Sequence, residues 1–266
     1  MASLVAGLAT GMGALIILPF PRLNMRLYDL VMGFSGGIML SIATLGLMDE
    51  SRTHGGLPVA IVGFLVGAGL LFAFDRAIPH LHRRLMDGTT PEDGPEWEES
   101  PGRRRRGRRD QTLEAVRARS LQRGVLVGVA IAIHNLPEGF VVGVSYVAQP
   151  ALGFLVAAAI ALHNIPEGIA VAAPLFNGGV SKLKSVFWAT LSGLTEPVAA
   201  VFGAVFVVAV GDIVPLALAL AGGAMVYVVS DEMIPESHSH GFEHEATLGL
   251  IFGFVVMLIL EAVIRH

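Results

Sequence analysis

Apolar stretches of about 20 residues recur along almost the whole chain, each long enough to cross a hydrocarbon core of roughly 30 Å as a helix. They fall near residues 3–20, 28–48, 57–79, 121–147, 151–176, 183–210, 213–235 and 246–264, eight in all. A soluble fold of the same chain would need nearly every helix to be apolar on all faces. With 53% hydrophobic residues and a mean hydropathy of +0.67, the expected fold is an all-α integral membrane protein of eight transmembrane helices.

The charges give that bundle an orientation. Residues 80–123 hold 11 of the 18 Lys and Arg, including the run at 103–106 followed by Arg108 and Arg109. With eight spans, Arg22, Arg26, Lys182 and Lys184 fall in connections on the same side, and the other side has little beyond Arg52 and Arg265. The positive-inside rule then puts both termini outside and the long third connection in the cytoplasm. No basic residue precedes the first span, so it does not read as a cleaved signal peptide. The chain has no Cys, which excludes disulfides and thiolate metal sites.

The domain plan is one membrane domain: helices one to three over residues 1–79, a charged cytoplasmic loop over 80–120, and helices four to eight over 121–266. The loop is rich in Pro, Gly, Glu and Arg and lacks apolar periodicity, so it reads as disordered or as a short amphipathic excursion. Its arginines read as a topology signal able to touch anionic headgroups, not as a nucleic-acid site. Small residues at Gly33, Gly36 and Gly37, at Gly63, Gly67 and Gly69, and at Gly124 and Gly128 suit close helix packing. There is a faint internal echo. Ser35-Gly36-Gly37-Ile38-Met39 in the second span recurs as Ala221-Gly222-Gly223-Ala224-Met225 in the seventh, and each runs on to an acidic pair, Asp49-Glu50 or Asp231-Glu232. Three-helix repeats flanking a central pair, a 3+2+3 arrangement, would make those spans equivalent.

The chemistry lies in a hexapeptide written twice. His134-Asn135-Leu136-Pro137-Glu138-Gly139 sits in the fourth span and His163-Asn164-Ile165-Pro166-Glu167-Gly168 in the fifth. A charge at the centre of a membrane helix costs about 2.5–3.5 kcal/mol, so these carboxylates need a partner, and a bound cation would serve. At about 100° per residue the Glu falls near 40° when the His is set at zero and the Asn near 100°. Each helix therefore presents its Glu between a His and an Asn. Two such helices joined by a short connection invite two adjacent metal positions, one rich in His and one rich in Asn, bridged by the carboxylates. Pro137 and Pro166 cannot bond the carbonyls of Ile133 and Leu162, which loosens each helix just before its His.

Glu196, in Ser192-Gly193-Leu194-Thr195-Glu196-Pro197 of the sixth span, is a third mid-membrane carboxylate and is expected on the Asn side of the same cluster. Near the cytoplasmic end of the seventh span, Asp231, Glu232 and Glu236 lead to His238, His240, Glu243, His244 and Glu245. These imidazoles and carboxylates suit an exit path for zinc, iron or a related ion. His80 and His82 are weaker candidates for the same duty.

On these residues the chain resembles the ZIP family of metal transporters, the Zrt/Irt-like proteins, in a prokaryotic-type branch, and the likeness covers its whole length. The resemblance implies one metal position built from His134, Glu138, His163 and Glu167. A second would use Asn135, Asn164 and Glu196, with Glu138 and Glu167 shared. It further implies a divalent ion, zinc first and iron, manganese or cadmium after it, as transported substrate with no organic cofactor. Metal would move towards the cytoplasm by alternating access in a homodimer of the inner membrane, spans one, four, five and six sliding against the other four. Spans one to three and six to eight would be inverted repeats. Two departures stand out: family members often carry His where Asp231 stands, and the third loop here is Arg-rich where many relatives have a His-rich one. An intramembrane metalloprotease is the rival enzyme reading, but the His-Glu-x-x-His helix signature is absent. A membrane metal sensor holding one permanent ion is the other.

Overall fold

A computed structural model describes residues 1–16, 18–19, 24–86, 132, 134–177 and 179–265. The arginine run of the third connection, Gly124, Gly128 and most of the first half of the fourth span lie outside the described residues. The described residues are helical almost throughout. The helices are α1 (Ala2–Leu15), α2 (Met25–Ser41), α3 (Met48–Met86), α4 (134–148), α5 (Pro150–Asn177), α6 (Lys182–Gly193), α7 (Thr195–Val210), α8 (Val214–Val228), α9 (Ile234–Ser237) and α10 (Glu243–Arg265). Wider π-helical turns join α2 to α3 at Ile42–Leu47 and α8 to α9 at Val229–Met233.

Five helical stretches among the described residues are long and apolar enough to cross a membrane: Met25–Arg76, Pro150–Ala173, Lys182–Val210, Val214–Ser237 and Glu243–Val263. The helix α1 is apolar but shorter. Large apolar side chains such as Leu65, Phe74, Phe202, Val208 and Phe252 stand exposed on the outer faces, where a bilayer rather than a protein core would cover them.

The Met25–Arg76 stretch is 52 residues long, on the order of 80 Å as a continuous helix and far more than one crossing needs. It is broken at Gly56, whose φ of 80° and ψ of 164° only glycine adopts without strain. Pro58, two residues on, disfavours helix at Leu57 and reinforces the turn. Past the kink α3 continues to Met86, so the backbone of residues 80–86 is helical where the polar connection was expected to begin. The apolar stretch Lys182–Val210 is interrupted too: α6 ends at Gly193 and α7 begins at Thr195, where Pro197 leaves the carbonyl four residues earlier without its amide partner.

Two sets of helices follow from the closest approaches. In one, α2 lies on α10 and α3 on α8. Gly33 and Gly37 press on the backbone at Ala246 and Leu250, while Gly249 and Gly253 press back on Leu30 and Phe34. Glycines at this four-residue spacing let two backbones touch where lipid supplies no hydrophobic drive. In the other set α1 lies on α5 and α6, and α4 meets α7, Gly139 against the backbone of Glu196 and Gly143 against that of Ala200. The central motif sits where α5 of this second set faces α2 of the first.

Candidate metal centre

All seven residues expected at the centre are buried, with His163, Asn135, Asn164 and Glu196 fully inaccessible. The two copies of the motif face one another and exchange partners. His134 Nε2 lies 2.8 Å from Glu167 Oε1, and His163 Nε2 lies 2.9 Å from Glu138 Oε1. Each helix thus offers its imidazole to the other's carboxylate, which follows from antiparallel neighbours carrying the same His-to-Glu spacing. Glu167 Oε1 is also 3.4 Å from His163 Nε2 on its own helix, one turn away. Donor atoms of His134, Glu138 and Glu167 fall within 4.8 Å of one another, close enough to surround one ion.

The asparagines are held differently. Asn164 Nδ2 donates to the carbonyl of Ala6 in α1 at 2.8 Å and to Glu196 Oε1 at 2.5 Å. Asn135 Nδ2 donates to the carbonyl of Ser192 at 3.3 Å, at the break between α6 and α7. Thr195 steadies that break, its hydroxyl donating to Ser192 O at 2.7 Å and to Ala132 O at 3.3 Å. With both amide nitrogens pinned to neighbouring backbone, the side-chain orientation is set and the carbonyl oxygens remain free.

Beside the second ring nitrogens of His134 and His163, the atoms left free at the centre are oxygens. Glu138 Oε2, Glu167 Oε2, Glu196 Oε2, Asn135 Oδ1 and Asn164 Oδ1 are buried without a hydrogen-bond partner. All five are acceptor oxygens, and native interiors leave few such groups unsatisfied. Among the described residues no donor is hydrogen-bonded to them. A cation can satisfy them, since oxygen and imidazole donors suit zinc and other first-row divalent ions. Three ionised carboxylates together in this setting would be strongly unfavourable, and one or two divalent ions would bring them close to charge balance.

Of the exit-path residues whose side chains are among the described residues, Glu232 alone reaches the cluster. Its Oε2 stands 3.1 Å from His134 Nδ1, at ion-pair distance though not aligned for a hydrogen bond, and its side chain is 40% exposed against 5% for His134. Asp231 and His244 are exposed on the surface. Glu236 accepts from Tyr28 Oη at 3.5 Å. His238 Nδ1 donates to the carbonyl of Ile234 at 2.8 Å, which closes the end of α9. His240 lies against Asp29. The backbone at His80 and His82 is helical, and their side chains lie outside the described residues.

Two polar residues were not foreseen. Ser35, read from the sequence only as part of the internal echo, donates its hydroxyl to the carbonyl of His163 at 3.3 Å, linking α2 to the motif-bearing turn of α5. Asp29 is a fully buried acid outside the centre. The only prior signal for either was a polar side chain inside an apolar span.

The family model for the ZIP zinc transporter matches residues 1–261. The chain is 37% identical to the zinc transporter GufA of Myxococcus xanthus, covering 98% of this chain and 96% of that protein. It is 38% identical to the zinc transporter ZupT of Corynebacterium glutamicum, over 97% of this chain and 95% of the relative. The ZupT of Clostridium perfringens is 31% identical over 97% and 92%. A doubled His-Asn-x-Pro-Glu-Gly centre in apolar helices and a family match from end to end agree: this chain belongs to the ZIP family, whose members are transmembrane zinc transporters and not enzymes.

Proposed function

We propose that the chain carries zinc, or a divalent ion of similar chemistry, towards the cytoplasm through a binuclear site in its fourth, fifth and sixth membrane passages by alternating access. The observation that carries the proposal is the set of five buried acceptor oxygens without partners, shared between the two motif copies and Glu196. In the proposed arrangement His134, Glu138, His163 and Glu167 hold one ion. Asn135, Asn164 and Glu196 hold the second, and Glu138 and Glu167 touch both. The two free carbonyl oxygens and Glu196 Oε2 are the support for the second position, because the first leaves them unsatisfied.

The eight-span plan with inverted repeats has its own support. The kink at Gly56 divides the longest passage in two. The second glycine of each Gly-Gly pair meets a matching neighbour: Gly37 of the second span presses on Leu250 of the eighth, and Gly223 of the seventh on Phe64 of the third. Exchanging spans two with seven and three with eight maps one contact onto the other. Both repeats also carry a π-helical turn after the glycine pair, Ile42–Leu47 just before Asp49-Glu50 and Val229–Met233 enclosing Asp231-Glu232. The same proposal takes both termini as outside, the protein as a homodimer in a prokaryotic inner membrane, and the two helix sets as the bodies that slide.

For release, the support is a gradient of exposure from the buried centre to Glu232, which touches His134 from the other helix set. Asp231, Glu236, His238, His240 and His244 continue in the same direction along the chain. Each imidazole or carboxylate offers a weaker hold than the centre, which is what passage needs. The experiment is zinc uptake by vesicles holding the purified chain beside the Glu138→Ala variant, with iron, manganese and cadmium as competitors. Saturable uptake that the variant abolishes is the expected result. Bound zinc without uptake would replace transport with sensing.

A further inference from the structure

The Arg26–Glu245 ion pair joins the start of α2 to the start of α10. At the opposite end of these helices is a cleft of 540 Å³ that metal transport does not use. It lies between the first turns of α3 and the last turns of α10, beside the π-helical turn that follows α2. Two backbone features shape it. The π-helical turn accommodates an extra residue and widens the helix at Thr44 and Leu45, and the Thr44 hydroxyl folds back onto Leu40 O at 2.6 Å. The kink at Gly56 then redirects α3, and Leu57 and Ala60 beyond it line the same cleft.

The lining is of two kinds. Leu45, Leu57 and Leu258 are apolar and exposed, and Asp49, Arg52 and Glu261 stand among them with an excess of one negative charge. Arg52 Nη2 meets Asp49 Oδ1 at 2.8 Å, but the two side chains are 61% and 46% exposed, so the pair is weakly held. It also leaves further N–H donors on the guanidinium and a second oxygen on the carboxylate. From the cleft, exposed apolar residues one turn apart continue along each helix, Ile61 and Leu65 on α3, Val255 and Ile259 on α10. Charged groups of both signs above apolar walls match the boundary between water and lipid tails. A volume of 540 Å³ falls within the about 300–1,000 Å³ of clefts that take small molecules, and it admits a head group with its glycerol.

We propose that this cleft binds the head group of a phospholipid bearing a primary amine, an ethanolamine lipid. Its phosphate accepts from the planar guanidinium of Arg52, whose fork of donors fits phosphate oxygens. Its ammonium donates to Asp49 and Glu261, and its acyl chains follow the exposed rows of α3 and α10. A choline head group has no N–H to give the carboxylates. A glycerol head group leaves the lipid with a net negative charge beside a rim that is already negative. The amine-bearing lipid is therefore preferred over both. The cleft belongs to the helix set that lacks the doubled motif, so lipid binding there stands apart from any reading of the metal centre.

The test is native mass spectrometry of the purified full chain, released from micelles holding equal amounts of three lipids with identical acyl chains. The three are phosphatidylethanolamine, phosphatidylcholine and phosphatidylglycerol. One tightly held phosphatidylethanolamine per chain is expected, bound about tenfold or more above either of the others. Arg52→Gln and Asp49→Asn alter exposed or half-exposed side chains, and either should bring that preference down to about threefold or less. Should one of them fail to fold, the other decides. Three lipids bound alike, a preference for phosphatidylglycerol, or a preference that survives both changes overturns the proposal. So does the absence of any retained lipid, as when a second copy of the chain covers the cleft.

Discussion

A single methyl group placed on Gly168 tests how tightly the site depends on helix packing. A Cβ there would overlap the carbonyl oxygen of Thr10 in α1, and it would come within 2.8 Å of Ala14 N and Thr10 C. These are main-chain atoms and cannot rotate aside. Restoring ordinary contact near 3.5 Å requires α1 and α5 to part by roughly 1 Å or more. Overpacking of this kind costs about 1–3 kcal/mol, and the backbone clash puts Gly168→Ala near the top of that range. The same displacement acts on the site. Asn164, one turn earlier, donates to Ala6 O across this contact at 2.8 Å, and a further 1 Å takes it past hydrogen-bonding reach. Losing a support that orients a metal donor typically costs about 10–100-fold in metal affinity. Zinc uptake per folded protein in vesicles should therefore fall at least about tenfold, with a lower melting temperature. Gly69→Ala is the matched control, because a Cβ there meets nothing within 4 Å, and it should leave both readings at wild type. Wild-type uptake and melting in Gly168→Ala would refute the claim that the α1–α5 contact holds the site in register.

Three more expectations follow from separate features. Replacing Glu196 with Gln, or Asn135 with Ala, should change the rate or the preference among zinc, iron, manganese and cadmium. Competition assays giving unchanged kinetics and selectivity in both variants would argue against a second metal position. Ser35→Ala removes a neutral hydrogen bond of 3.3 Å between the two helix sets, worth about 1 kcal/mol or less, so turnover should shift by up to about fivefold while calorimetric zinc affinity holds; a turnover identical to wild type would take Ser35 out of the account. Gly56→Ala places a side chain at φ of 80° and ψ of 164°, with a strain of about 1–3 kcal/mol, and should lower thermal stability measurably. A melting temperature at or above wild type would mean that the chain turns elsewhere.

Much of the centre is legible from spacing alone. Two copies of one motif, with Glu four residues after His, dictate which side chains share a helix face, and antiparallel packing then makes the copies exchange partners, as His134 with Glu167 and His163 with Glu138 do. Glu196 is legible for the same reason that makes it costly: a carboxylate followed by proline in an apolar span needs both a partner and a break in the helix. Other features leave no mark of this kind. The amide of Asn164 and the hydroxyl of Ser35 are satisfied by backbone carbonyls, and a carbonyl looks the same at every position of a sequence. The pairing of Asp29 with His240 joins residues 211 apart, and only the path of the connection between α9 and α10 brings them together. The π-helical turns arise from one extra residue accommodated in a packed helix, which changes no apolar pattern. The orientation expected from the arginines of the third connection rests on their sum in the sequence.

The central claim is that Glu138 and Glu167 are indispensable because each is placed to touch both metal positions. The most direct measurement is zinc flux into vesicles holding equal amounts of folded wild-type chain and its Glu138→Ala variant, with bound zinc counted on the same samples. The account predicts saturable flux for the wild type, none above background for the variant, and fewer zinc ions bound. A variant that kept full flux would contradict it and remove the binuclear centre as the route.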